Sequence, residues 1–468
     1  MIKPILLWTD ALVFILVTTI ILSALYARKK EHLRAPWRQV IRSRIGMATM
    51  IVLMVYVCIG LLDSMHYQRE INNNGNGGEI HYSAEVPSLL DYFMTPIRET
   101  EEKTYSAPFA SHAYSRETVQ LDNGEQARIY PRLKHGGAHL ADPERDWFTD
   151  VIGKSASAIM QGLLLWTVVV LLLVAWIAAR QSRSFAEMLQ MIIKGRSDIP
   201  WRTMFVTLGL VIVLVVWCAT LGSKYHILGT DKVGQDVFYQ ALKSVRTGLI
   251  IGTLTTLVML PFAVMLGIMA GYLRGWVDDV VQYLYTTLNS IPGVLLIAAA
   301  VLMMQVYIAT HPELFNNNAA AADLRLLFLC LILGITSWTG LCRMLRGEAM
   351  KLREMDYIEA AVAFGVKKNK IITRHILPNV MHIVMISIVL DFSGLVLAEA
   401  VLSYVGVGVD PTMYSWGNMI NGARLEMARE PMVWWSLLAA FIFMFVLVLA
   451  ANLFSDAVRD AFDPRLRK

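Results

Sequence analysis

The sequence predicts an all-α integral membrane protein with about nine transmembrane helices. Three observations carry this. Of 468 residues, 56% are hydrophobic and only 17% charged, too apolar a balance for a chain that must cover a soluble globule. Nine apolar runs are long enough to cross a hydrocarbon core of about 30 Å, which takes about 20 helical residues. The polar segments between them differ in charge from one side to the other, as a multi-pass topology requires.

The runs fall at approximately 5–27, 45–62, 156–179, 204–222, 249–273, 280–304, 326–345, 380–405 and 433–454. Inside lipid each must be helical, because no solvent there satisfies backbone N–H and C=O groups. Residues 28–44 carry seven basic side chains against Glu31 alone, so this loop is expected inside and the N-terminus outside. Counting crossings then places 180–202, the long polar loop before residue 380 and the tail inside. Residues 67–150, with eight basic and fourteen acidic side chains, fall outside. The first run lacks a basic lead and a small-residue cleavage site, so it is expected to persist as a helix rather than act as a signal peptide.

The outside segment opens with an Asn- and Gly-rich tether, Asn72 to Gly78, and continues with scattered aromatics and prolines. It suits a small packed insert or a loop lying on the surface. His81, His112, His135 and His139 do not share the spacing of a metal site and read as solvent-facing. Cys58, Cys218, Cys330 and Cys342 lie in or beside apolar runs without CxxC spacing and read as small buried apolar residues. Gly153-Lys154-Ser155 carries only the last letters of a phosphate-binding loop, and Phe148 stands where its first Gly belongs. No nucleophile–His–carboxylate set appears on an exposed loop. The chain is therefore read as non-catalytic, drawing energy from a partner.

Glu359 to Pro378 is the organising polar stretch. Met355 to Phe364 is a good helix former whose Ala360, Ala361 and Ala363 give a smooth face. Gly365 permits a sharp turn. A second helical piece over 367–375 is expected to stop near Pro378. Two short helices at an angle, protruding from a membrane protein, suit docking to a soluble partner. At membrane depth, Asp391 is the clearest polar group, near the midplane of its run. It suits either a cargo amine or a neighbouring helix. Asn289 and Ser290 beside Pro292, with Ser393 and Glu399, complete the candidates for a translocation path. Asn289 and Ser290 alternatively satisfy carbonyls freed by the proline, and Glu399 fits packing or gating better than cargo contact. Gly267, Gly271 and Gly394 are expected to allow close helix packing.

The order Glu-Ala-Ala, three residues, Gly, ten residues, Ile-Leu-Pro resembles the cytoplasmic coupling loop of ABC importer permeases. Segments on either side agree in order: His226 to Asp236, Tyr272 to Asp279, Asn289 to Gly293, Leu397 to Gly406, Ser415 to Met419, and Arg459 to Arg467. Residues 201–468 resemble the second permease subunit of dipeptide/oligopeptide/nickel importers. The resemblance implies a six-helix type I ABC importer permease core, three extra helices and a periplasmic insert. The implied divisions are 1–66, two helices with a basic loop; 67–155, the insert; 156–200, an extra helix and linker; and 201–468, the core with its coupling loop at 346–379. Pro36-Trp37-Arg38 and Pro200-Trp201-Arg202 echo one another, leaving open whether the second or the fourth run begins the core.

The resemblance also implies a set of roles. Glu359, Ala360, Ala361, Gly365, Ile376, Leu377 and Pro378 would couple to ATPase subunits. Gly229, Thr230, Asp231 and Trp416 are candidates for periplasmic docking. The implied partners are a homologous permease, two ATPase subunits or domains, a periplasmic binding protein, peptide cargo and the lipid of a bacterial inner membrane. Nucleic acid and metal are not among them. ATP and Mg would sit on the ATPases, and this chain would hold no cofactor. Import of nickel or another non-peptide cargo, ion-coupled transport and membrane scaffolding are the alternatives.

Overall fold

The computed structural model describes residues 2–29, 31–71, 81–83, 85–120, 126–311 and 318–462. The Asn72–Gly78 tether and the basic tail from Pro464 lie outside them. Among the described residues, nine helical segments are long and apolar enough to cross a membrane. Their exposed surfaces are dominated by Leu, Ile, Val and Phe, the inverse of a soluble protein, because lipid rather than water is the solvent.

In chain order, a short strand β1 (Ile2–Ile5) precedes α1 (Trp8–Arg28), α2 (Glu31–Arg42) and α3 (Arg44–Asp63). The insert holds β2 (His66–Ile71), β3 (His81–Tyr82), α4 (Leu89–Phe93), α5 (Thr95–Arg98), β4 (Glu117–Gln120) and β5 (Gln126–Ile129). Then follow α6 (Pro143–Arg180), α7 (Phe185–Lys194), α8 (Trp201–Gly222), α9 (Val237–Leu273), α10 (Trp276–Ser290) and α11 (Gly293–Thr310). The remainder comprises α12 (Asn318–Ser337), α13 (Thr339–Arg353), α14 (Asp356–Ala363), α15 (Lys368–Ile371), α16 (Leu377–Tyr404), α17 (Trp416–Glu426) and α18 (Trp435–Phe462).

Several boundaries differ from the sequence expectation. The sixth run is two helices, α10 and α11, because Pro292 lacks an N–H and its neighbour Ile291 is extended. The helix α6 begins at Pro143, inside the segment assigned to the insert. Pro36 lies within α2 whereas Pro200 precedes α8, so the two Pro-Trp-Arg echoes are structurally unlike. Cys58 is exposed on its helix; Cys330 and Cys342 are buried.

Two compact units cut across the divisions read from sequence. One comprises Trp37–Arg246 and Tyr414–Phe454 with the first residues of the chain; the other comprises Ile5–Pro36, Thr247–Met413 and the end of α18. In the first, α6 and α8 run antiparallel, with the Trp166 indole donating to the Phe205 carbonyl at 2.8 Å. Val174, Ile177, Met188, Ile192 and Phe205 close a core among α6, α7 and α8. The strands β1, β2 and β3 form one sheet in that order, and β4 pairs antiparallel with β5, Glu117 opposite Ile129.

In the second unit, α9 meets α13 at Gly267 and Gly271. A Cβ at Gly267 would lie 2.7 Å from the Cys342 carbonyl oxygen, and one at Gly271 would overlap the Arg346 carbonyl. Only glycine lets the backbones come this close. Gly394, in contrast, faces open space, and Gly252 is the position where a ring, that of Phe392, fills the glycine's notch. The first helix docks on α12, where the backbone N–H of Thr9 donates to Asp323 at 3.0 Å.

Candidate functional site

The protruding turn is built from the inside out. Ile358, Ile371 and Ile376 are buried in one cluster with Leu345, Ala349 and Val380. They anchor α14, α15 and the start of α16 to the end of α13. Glu359, Ala360, Val362 and Ala363 face outward, and Phe364 is 89% exposed. Asp356 and Glu359 lie in the first turn of α14, where negative charge complements the helix dipole.

The helix ends in a Schellman closure. Gly365 takes φ +71, its N–H donates to the Val362 carbonyl at 2.9 Å, and the Val366 N–H reaches back to the Ala361 carbonyl at 3.1 Å. Val366 and Ala361 then pack together on the anchoring cluster. The expected stop at Pro378 does not occur. Instead α15 runs through a π-helical turn, Ile372–Ile376, directly into α16. Pro378 follows this turn directly: the Leu377 N–H already reaches back five residues to the Ile372 carbonyl, and this shift in register accommodates the proline's missing N–H within a continuous helix. The Asn379 amide donates to the Tyr357 hydroxyl at 3.1 Å, which fixes α14 against the head of α16. The Glu359 carboxylate has no hydrogen-bond or ionic partner among the described residues. The exposed surface of the turn is thus a platform backed by the buried cluster, and it carries the carboxylates of Asp356 and Glu359 and the exposed ring of Phe364.

The residues named for a translocation path are distributed over α10 and α16. Asn289 is exposed and accepts from the Thr339 hydroxyl at 3.0 Å; Ser290 bonds back to the Thr287 carbonyl at 2.7 Å. Ser290 thus satisfies a carbonyl of its own helix, whereas Asn289 bonds across to the start of α13. Asp391 is half-buried on α16, with no hydrogen bond or ion pair among the described residues. Ser393 and Glu399 are buried, and Glu399 accepts from the Ser403 hydroxyl at 2.7 Å, one turn on.

The four docking candidates are held by the chain itself. Thr230 and Trp416 are buried. The insert lies across the loop before α9: the Ser106 N–H donates to the Thr230 hydroxyl at 2.7 Å and the Thr230 hydroxyl to the Thr104 carbonyl at 2.9 Å. A side chain at Gly229 would strike the Ser106 carbonyl. Asp231 accepts from the N–H groups of Val233 and Gln235, both at 2.9 Å. The Trp416 indole donates to the Ala241 carbonyl at 3.1 Å.

Two buried polar clusters that the sequence reading missed fasten the insert. In one, His226 lies between Asp236, 2.8 Å from Nδ1, and Glu102, 3.5 Å from Nε2. Glu102 also accepts the backbone N–H groups of Lys134, His135 and Gly136 at 2.9, 2.7 and 3.0 Å. Burial alone would raise the Glu102 carboxyl, but His226 and these amides outweigh it and bring its pKa to about 2. Burial would likewise neutralise His226, yet Asp236 and then Glu102 raise its pKa to about 9. In the other cluster, the Lys243 ammonium lies 2.5 Å from Asp63 and 3.0 Å from Asp91. Asp91 closes a capping box with Ser88 and accepts from the Tyr239 hydroxyl at 2.6 Å. No short spacing in the sequence announces either cluster, because the partners are as many as 180 residues apart.

This architecture is that of a multi-pass membrane component with a protruding turn. The profile of binding-protein-dependent transport system inner membrane components matches residues 263–468. The chain is 33% identical over 247 residues to the glutathione transport system permease protein of Pectobacterium atrosepticum, covering 52% of this chain and 74% of that one. It is 34% identical over 246 residues to an oligopeptide transport system permease protein of Mycobacterium tuberculosis, with 53% and 78% covered. A dipeptide transport system permease protein of Bacillus subtilis is 28% identical over 246 residues, with 53% and 71% covered. The chain belongs to this family of inner-membrane transport components.

Proposed function

We propose that the chain is the permease subunit of an ATP-driven peptide importer, coupled to its ATPase subunits through the outer face of α14. The observation that carries the reading is the platform itself: Phe364 and Glu359 are exposed, the Glu359 carboxylate without a partner among the described residues, while Ile358 beneath them is buried. An aromatic side chain this exposed beside a glycine turn suits a pocket on a soluble partner. Glu359 and Ala360 form the docking face, Ala361 backs it against the anchoring cluster, Gly365 makes the turn, and Ile376, Leu377 and Pro378 make the rigid connection into α16. The relatives' cargoes, oligopeptides, dipeptides and glutathione, support peptide as the cargo class. All three carry a free amine, which suits the carboxylate of Asp391 as a path residue.

The partners in this reading are a homologous permease, two ATPases that bind ATP and Mg, and a periplasmic binding protein. ATPase closure pulls on α14, and the unbroken passage through the π-helical turn carries the movement into the membrane along α16. The N-terminus and the insert lie outside and the C-terminus inside. Pairing of β1 in one sheet with β2 and β3 supports a common side for the N-terminus and the insert.

The test is ATP hydrolysis by the assembled complex in lipid, with and without binding protein and a peptide mixture. Glu359→Ala and Phe364→Ala are expected to abolish the stimulation by loaded binding protein while leaving the complex folded, since both side chains lie on the surface. Full stimulation in both variants would overturn the coupling assignment. Stimulation of the wild type by a non-peptide cargo alone would overturn the cargo class.

A further inference from the structure

We infer that the basic face formed by α2 and the segment around α7 is a binding surface for the headgroups of anionic phospholipids. The helix α2 begins three residues after α1 ends and stops two residues before α3 begins. Both neighbours cross the membrane, so α2 is tethered at each end to the bilayer surface. Pro36 and Val40 are buried against the chain, whereas Trp37 and Ile41 remain exposed. That apolar flank has the bilayer as its natural cover.

Arg34, Arg38 and Arg42 repeat every four residues along α2, and all three are exposed. Their stripe lies roughly a third of a turn round the helix from the apolar one, the placement from which long cationic side chains reach lipid phosphates. A loop needs cations to orient a membrane protein, but orientation does not require them to share one flank of a helix. Arg44, the first residue of α3, is exposed as well.

A second basic segment is brought to the same place. Arg42 pairs with Asp198 at 3.0 Å, joining the end of α2 to the linker before α8. The linker and its flanks add exposed Arg180, Arg183, Lys194, Arg196 and Arg202. The Arg180 guanidinium lies over the Trp176 ring, 4.6 Å from its centre, an arrangement typical of an aromatic–cationic boundary at the headgroup level. Asp198 is used by Arg42, and Arg34, Arg38 and Arg44 have no acidic partner among the described residues. Phosphate is the missing complement. The inference concerns which lipid surrounds these helices and holds whichever leaflet they face, so it stands independently of the importer reading.

The test is photo-crosslinking of the full chain in phosphatidylcholine bilayers doped with a headgroup-photoreactive phosphatidylglycerol, with adducts mapped by mass spectrometry. Adducts are expected within 34–44 and 180–202. In Arg34→Gln/Arg38→Gln/Arg42→Gln they should fall about fivefold or more, and they should persist when the same three positions are lysine. Adducts spread evenly over the helices, or unchanged in the glutamine variant, would overturn the inference. If that variant does not insert, the wild type decides the matter. At about 1 M salt, where screening acts within about 3 Å, its preference for phosphatidylglycerol over phosphatidylcholine must collapse, and a salt-independent preference overturns the proposal.

Discussion

His226 shows how a single side chain can set the pH range over which the insert stays fastened. Its pKa rises from 6.5 to about 9 on folding, so the stability it contributes is complete below about pH 6.5 and is lost as pH rises through about 9. Glu102 acts in the opposite sense: with its pKa lowered from 4.5 to about 2, its contribution is present above about pH 4.5 and lost as pH falls through about 2. Thermal unfolding of wild type and His226→Gln in detergent should therefore differ most near pH 6 and converge towards pH 9. A difference that grows with alkalinity would contradict the His226 assignment. Gly365 is a different kind of residue-scale constraint. Nothing lies within 4 Å of the Cβ it lacks, but its φ is +71. Gly365→Val should cost about 1–2 kcal/mol through backbone strain alone, whereas Gly365→Asn, which tolerates that conformation, should retain most coupling in the ATPase assay. The need for a glycine here was legible from sequence, because a turn imposes its own local chemistry. The partnership of Glu102 with His226 was not, because it depends on where a distant loop comes to rest.

Helix elements pack in this protein by backbone approach at particular glycines, and which glycines is decided by neighbours. Gly267 and Gly271 press α9 onto the carbonyls of α13, while Gly394 faces empty space on α16. Gly271→Leu should destabilise by about 1–3 kcal/mol or more, since backbone rather than a flexible side chain must move. Gly394→Leu should leave the unfolding temperature almost unchanged. Equal effects in a detergent thermal-shift measurement would refute the helix-contact assignment. All three glycines look alike in sequence, each embedded in an apolar run. The same lesson holds at the head of α16. Pro378 reads as a helix breaker, but the π-helical turn directly before it shifts the hydrogen-bond register and the helix continues through it. That continuity gives the proposed coupling turn a stiff connection into the membrane rather than a hinged one.

At the scale of the whole molecule, nine spans and an N-terminal strand paired beside the insert make a sidedness prediction. In sealed, oriented vesicles, a membrane-impermeant maleimide should label Glu101→Cys and Phe364→Cys from opposite faces; both positions are exposed. Labelling of both from one face would rule out the proposed topology. The sequence by itself determined the solvent, the number of spans and the character of the protruding turn. These follow from apolar length, loop charge and turn chemistry, which act over a few to about twenty residues. Tertiary structure alone decided that the insert covers the loop around Thr230 and that Lys243 serves two carboxylates from separate segments. The physical reason is that a buried polar group must find partners wherever the folded chain brings them, and no local pattern records an encounter between segments more than a hundred residues apart.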